Sequence, residues 1–247
     1  MVTRSVLVLQ ACGFILASVF GSQSASGSTG AAPPKPSVRC RCAGYPTQTL
    51  CLWSEPGGQA TSTHYIATYR ERKERAVVKD CLLVPPGSPS SPLKSSSSSE
   101  KLWLCQLDDL KLYTDYILNV TSVSPLANTT QLASFMVEDI VKPDPPVEVK
   151  VSPVGGLRKL AVEWAPPLTW SNLDIFPLKY QLRYSWSHRH GNHTMHLGPY
   201  ESTRVVLGAL ARGRTYLIQV CAMELLGLGE CSDWSSPVET MLTARRH

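Results

Sequence analysis

Beyond residue 26 the sequence contains no apolar run approaching the ~20 residues that a membrane-spanning helix needs. Stretches with the apolar period of a packed helix are missing as well, which argues against a helical bundle. Catalytic signatures are absent: there is no Gly-x-Ser-x-Gly elbow, no phosphate loop and no His-Glu-x-x-His pair. No convergent acid/base set stands out, so the chain is not read as an enzyme and no cofactor is expected. Charge of one sign is also scarce, with a net charge of +5 spread along the chain. The most basic stretch, residues 70–79, also holds Glu71 and Glu74, and so reads as a solvated strand end or loop rather than a nucleic-acid surface.

The first residues carry what the rest lacks. Arg4 supplies a positive start, residues 6–20 an apolar core, and residues 18–26 the small side chains suited to cleavage. Residues 1–26 are therefore expected to be a signal peptide, and the absence of a second apolar run points to a secreted, extracellular chain without a membrane anchor. Of eight cysteines only Cys12 falls in the leader, and the others are expected to form disulfides in an oxidising compartment. The sequons at Asn119, Asn128 and Asn192 agree with export and are candidate glycosylation sites. After a Gly/Ser/Pro-rich start, residues 27–36, roughly 210 residues remain, room for two domains of about 100 each.

Period-two alternation marks strands at residues 64–70 and 116–123, with Asn119 on the opposite face from Tyr116, Leu118 and Val120. Between them, residues 85–100 hold four prolines and a run of five serines, a composition read as a mobile surface loop. Three prolines within residues 143–146 make a stiff connector and a domain boundary. Beyond it, strand candidates at 147–152, 160–164, 178–186, 204–207, 215–223 and 236–242, separated by turn signals, argue for an all-β sandwich. His188, His190, His193 and His196 could form a metal cluster, but they flank Gly191-Asn192 between two strands, and a glycan on Asn192 would crowd it. The stretch is read as a polar hairpin turn, and no metal site is expected.

Four motifs share one resemblance. Cys40 and Cys51 stand in a Cys-x10-Cys-x-Trp pattern closed by Trp53; period-two alternation puts Cys51 and Trp53 on one face. Leu160-Ala161-Val162-Glu163-Trp164 and Tyr216-Leu217-Ile218-Gln219-Val220 look like the B and F strands of fibronectin type III domains. Lys142-Pro143-Asp144-Pro145-Pro146 resembles an interdomain elbow. Ser232-Asp233-Trp234-Ser235 is half of a Trp-Ser box, with Cys231 where the first Trp would stand. Together, over residues 38–242, these resemble the type I cytokine receptors, of the soluble class.

That resemblance implies two fibronectin-type-III-like sandwiches joined by the proline-rich elbow, an N-terminal domain at 37–141 and a C-terminal domain at 142–243. It implies disulfides Cys40–Cys51 and Cys81–Cys105, with Cys42 an alternative partner for Cys51. It implies a cation–π rung between Arg183 and Trp234. In the family pattern an F-strand arginine inserts beside the first Trp of the box. Those positions are Cys221 and Cys231 here, which points to a third bridge and leaves Cys42 free or linked to another chain.

The implied function is a receptor-like subunit that pairs with a four-helix-bundle cytokine chain, the heterodimer then engaging signalling receptors on cells. A free soluble receptor or decoy is the alternative, and a fibronectin-type adhesion or matrix protein the alternative of another class. By the same resemblance the cytokine would meet the loops at residues 110–115, 170–176 and 224–229. Tyr113, Trp170 and Phe176 are the aromatic anchors there, Asp174 would select a basic group, and Leu226 and Leu228 would add an exposed apolar patch. Burial within its own domain is the competing role for each ring.

Overall fold

The structure, a computed structural model, describes residues 35–54, 64–88, 102–125, 127–155, 158–188 and 191–242. The leader, residues 89–100 of the Pro/Ser stretch, and His190 lie outside the described residues. Nearly all the regular structure is strand, arranged as two sandwiches. In the first, β1 (Arg39–Gly44), β2 (Gln48–Ser54), β6 (Leu102–Leu107) and β5 (Leu82–Val84) form one sheet in that spatial order. The facing sheet runs β4 (Lys79–Asp80), β3 (His64–Glu71), β7 (Tyr116–Val123), β8 (Asn128–Phe135).

The second sandwich repeats the plan. One sheet is β13 (Arg204–Leu207), β10 (Leu160–Ala165), β9 (Val147–Pro153), and the other β12 (Gly191–Tyr200), β11 (Leu178–His188), β14 (Arg214–Glu224), β15 (Val238–Leu242). This is the pair of fibronectin-type-III-like sandwiches that the strand motifs imply. Alternation explains the strands: along β7, Tyr116, Leu118, Val120 and Ser122 are buried while their neighbours are half-exposed. Asn119 consequently faces outward.

Cys51 is paired in register with Cys40 on one side and Cys105 on the other, so its Sγ can be bridged from the adjacent strand. The disulfides are Cys40–Cys51, Cys81–Cys105 and Cys221–Cys231. Cys42 carries no bridge and is fully buried, so its thiol cannot reach a second chain while the fold is intact. Trp53, two residues past Cys51 and on the same face, packs against Tyr65 with ring centroids 5.6 Å apart.

Each sandwich also uses a tyrosine near the start of a central strand, β7 or β14, to fix the corner that precedes it. The Lys111 amide donates to the Tyr116 hydroxyl at 2.7 Å, and the Ala211 amide to the Tyr216 hydroxyl at 2.9 Å. This repeated spacing holds residues 108–115 in a set place beside the elbow.

The histidine stretch joins two antiparallel strands, with His188 opposite Gly191 as in a hairpin, but the strands reach further into it than the turn reading gave. β11 runs through to His188 and β12 begins at Gly191, so His193 and His196 sit on an extended strand. His193 stacks on Trp186 and His196 meets Trp234 edge-on, each ring occupied by an aromatic neighbour.

Candidate functional site

The elbow is built as a strand extension. Val141 forms a parallel bridge with Cys42, and the Lys142 amide donates to the Cys42 carbonyl at 2.9 Å. Asp144, between prolines, accepts from Arg41 Nη1 at 3.0 Å and from Thr169 Oγ1 at 2.9 Å. One carboxylate thereby joins β1 of the first sandwich to the loop that follows β10 in the second. The fixed φ of the flanking prolines keeps Asp144 on this pair of donors.

Two glycines permit the close approach. A Cβ at Gly44 would lie 2.4 Å from the Thr169 carbonyl oxygen, and one at Gly229 only 1.9 Å from that of Val141. Gly229 also has φ +62°, a region side chains disfavour. Next to it the Glu230 amide donates to the Val141 carbonyl at 2.9 Å, and Lys142 Nζ lies 3.1 Å from Asp233 Oδ1. The start of the box and the residues just before it are thus clamped to the elbow.

Three loops meet at this junction. In the first, residues 108–115, the Tyr113 amide donates to Glu138 Oε1 at 3.0 Å; Glu138 lies on a single 3-10 turn, Glu138–Ile140. Tyr45, in the turn after β1, donates its hydroxyl to the same oxygen at 3.3 Å. Burial pushes that phenol's pKa well up, and the neighbouring Glu138 adds to the effect, so it stays a neutral donor. The Tyr45 ring meets Phe176 edge-on at 4.8 Å and Trp170 at 6.4 Å.

The second loop, between β10 and β11, is self-braced. The amides of Ile175 and Phe176 both donate to the Asn172 carbonyl, and Trp170 Nε1 donates to the Phe176 carbonyl at 2.7 Å. The third loop follows β14. There the Leu225 amide donates to Pro177, the Leu228 amide to Glu224 Oε2 at 3.1 Å, and Lys179 Nζ to the Leu225 carbonyl at 2.7 Å. The Cys221–Cys231 bridge closes its base.

Three of the expected anchors change role. Trp170 is only 3% exposed, because its indole fills the core between Tyr45 and the sandwich and its N–H is taken by Phe176, so it is not a docking surface. Phe176 and Leu228 are partly buried, packed against the same core, and support the loops from beneath. Tyr113 and Leu226 are 79% and 84% exposed, and Asp174 is exposed. Leu168 and Ile175, at 88% and 71%, lie on the second loop and are apolar side chains offered to solvent that no motif marked. Short loop sequences carry no periodicity, so only their isolation from any strand pattern could have flagged them.

The box lies to one side of these loops. Arg183 stacks its guanidinium over Trp234 at 4.4 Å and donates two hydrogen bonds to Gln219, which in turn donates to the Ser235 carbonyl. Ser232 and Ser235 accept, through their hydroxyls, the amides of Ala222 and Val220, while their own amides donate to those residues' carbonyls. The box serines therefore act as a false strand zipped to β14. Asn119, Asn128 and Asn192 lie on β7, β8 and β12, away from the three loops. Among the described residues no group of acids, histidines or cysteines converges as a metal set, and no helix is long and apolar enough to cross a membrane.

The junction thus presents Tyr113, Leu168, Ile175 and Leu226 as exposed side chains on hydrogen-bonded loops, with the exposed Asp174 next to Ile175. Residues 36–135 match the family model described as the IL27B N-terminal FN3 domain. The chain is 37% identical to interleukin-27 subunit beta of Homo sapiens over 84% of its own length and 86% of that protein. The Mus musculus protein of the same name is 36% identical, over 82% and 83%. Interleukin-11 receptor subunit alpha of Homo sapiens is 29% identical over 82% of this chain, which corresponds to 46% of that longer protein.

Proposed function

The chain belongs to the interleukin-27 subunit beta family of cytokine-receptor chains, and on that premise we propose that it is a secreted, receptor-like subunit of a heterodimeric cytokine. Receptor chains of this kind are not enzymes, and the role is one of binding. Its partner is a four-helix-bundle cytokine chain, and the pair engages signalling receptors on cells. The working domains are 37–141 and 142–243, with the partner seated across their junction. The observation that carries this reading is the set Tyr113, Ile175 and Leu226, three highly exposed side chains on three loops that are each braced by hydrogen bonds, to Glu138, to Asn172, and to Pro177 and Lys179 respectively. Exposed anchors on a rigid frame lose little entropy on docking.

Co-expression in animal cells with candidate helical subunits, followed by size-exclusion chromatography of the medium, tests the proposal. A co-eluting pair is expected, with the glycosidase-sensitive mobility that the three sequons call for. Replacing Tyr113, Ile175 and Leu226 with Ala should weaken pairing by several orders of magnitude, since each anchor contributes about 2 kcal/mol. Unchanged pairing by a well-secreted triple variant would place the interface elsewhere. The similarity to interleukin-11 receptor subunit alpha favours the second reading, a free receptor. Secretion of the chain alone, with later capture of a preformed cytokine, would select it.

A further inference from the structure

Glu138 is a carboxylate that the fold has little apparent reason to bury. It is 5% exposed between two fully buried valines, Val137 and Val141 being its near neighbours along the chain. Its Oε1 accepts both the Tyr113 amide and the Tyr45 hydroxyl, while Oε2 has no partner. Burying a carboxylate with half of its acceptors unused is unfavourable, and an apolar side chain would suit the core better. Its effect on its neighbours gives the residue a purpose.

Tyr113 has φ +54°, a left-handed backbone that a bulky L-residue disfavours and that persists only where surrounding contacts impose it. The hydrogen bond to Glu138 is the contact that holds its amide, and the same backbone turn presents the ring to solvent. From the other side, Tyr45 carries the connection onward, its ring packed on Phe176, one residue from Ile175. A single oxygen atom thus links the loop bearing Tyr113 to the loop bearing Ile175, across the boundary between the sandwiches.

We propose that Glu138 is a positioning residue for cytokine pairing: through Tyr113 and Tyr45 it fixes the two docking loops in one arrangement before the partner arrives. The inference rests on the reading that Tyr113 and Ile175 face the partner. Preorganisation of this kind acts on affinity by removing the ordering cost at binding, which gives it a signature separate from stability.

The test compares Glu138→Ala, Glu138→Gln and Tyr45→Phe in the secreted full chain, each with and without Tyr113→Ala. In the free chain, hydrogen exchange at the Tyr113 amide should accelerate at least about tenfold in Glu138→Ala and recover in Glu138→Gln, which retains an acceptor oxygen. Pairing with the helical subunit should weaken by about tenfold in Glu138→Ala. Tyr45→Phe, which keeps the ring and the core intact, should fall in the same direction by less, and it decides the matter if Glu138→Ala fails to fold. In the Tyr113→Ala background the effect of Glu138→Ala should shrink. Unchanged exchange, or an equal loss of pairing in both backgrounds, overturns the positioning role. If Tyr113→Ala weakens pairing while neither Glu138→Ala nor Tyr45→Phe does, the positioning role alone falls. If Tyr113→Ala pairs like the unaltered chain, the docking surface is wrong and Glu138 falls with it.

Discussion

Replacing Cys221 and Cys231 together with Ala isolates the device that stands where a family arginine and tryptophan would meet. The bridge spans a sequence separation of 10 and ties the buried end of β14 to the start of the box. Chain entropy for so short a loop corresponds to about 2.7 kcal/mol of stabilisation. Cys221 is 1% exposed, so truncation there also leaves a small void, worth on the order of 1 kcal/mol. Against these losses, four hydrogen bonds between the Ser232 and Ser235 pair and the Ala222 and Val220 pair remain, and they should keep the box in register.

The expected outcome is therefore a folded variant that is less stable by about 2–4 kcal/mol, with a fall in Tm on the order of 10 °C. Calorimetry of the secreted chain measures the loss, and tryptophan fluorescence reports whether Trp234 stays under Arg183. A cation–π contact contributes about 0.5–2 kcal/mol. A measured loss below about 0.5 kcal/mol would refute the chain-entropy reasoning, and loss of the Trp234 environment would show that the bridge, not the serine zipper, holds the box.

Gly229→Ala should destabilise the chain by several kcal/mol, since the new Cβ would sit 1.9 Å from the Val141 oxygen at φ +62°; urea unfolding with a loss under about 1 kcal/mol would contradict that close approach. Burial raises the Cys42 thiol from 9.0 to about 11, so the unfolded chain ionises first and stability should fall as pH rises from 9 toward 11. Unfolding measured at about pH 8.5 and pH 10.5 should show Cys42→Ala losing less of its stability over that interval than the unaltered chain, and equal losses would count against the shift.

Much of the fold is legible because its signals are local. The alternation of β7, the prolines of the elbow, the half-box and the sequons are each read within a few residues, and the first two depend on backbone rules that context rarely overrides. β12 is hidden for the opposite reason. Its residues are mostly exposed, it carries Gly and Pro near its ends, and it exists because the eleven-residue β11 offers it a long edge. β8, which opens on four polar residues, Asn128 to Gln131, is similarly set by its pairing with β7. The burial of Trp170 was not readable because its cover comes from Tyr45, over a hundred residues earlier. Glu138 looks like any surface acid until Tyr113 and Tyr45 are placed beside it.

The same long-range packing decides how the junction can behave when a partner docks. Cys42, Tyr45, Val137 and Val141 precede the boundary in sequence, yet they belong to one buried cluster with Leu160, Trp164, Leu182 and Val220 of the second sandwich. The first sandwich thus ends inside the core of the second. Exposing only Val137 and Val141 would cost about 3–6 kcal/mol, an upper figure because an open form would keep some contacts. One docking anchor contributes about 2 kcal/mol, so no single contact can alter the angle. On the proposed reading, a partner that engaged a single anchor would therefore have to fit the elbow as it finds it, and selectivity would rest on the side chains the core leaves outside: Tyr113, Leu168, Ile175 and Leu226.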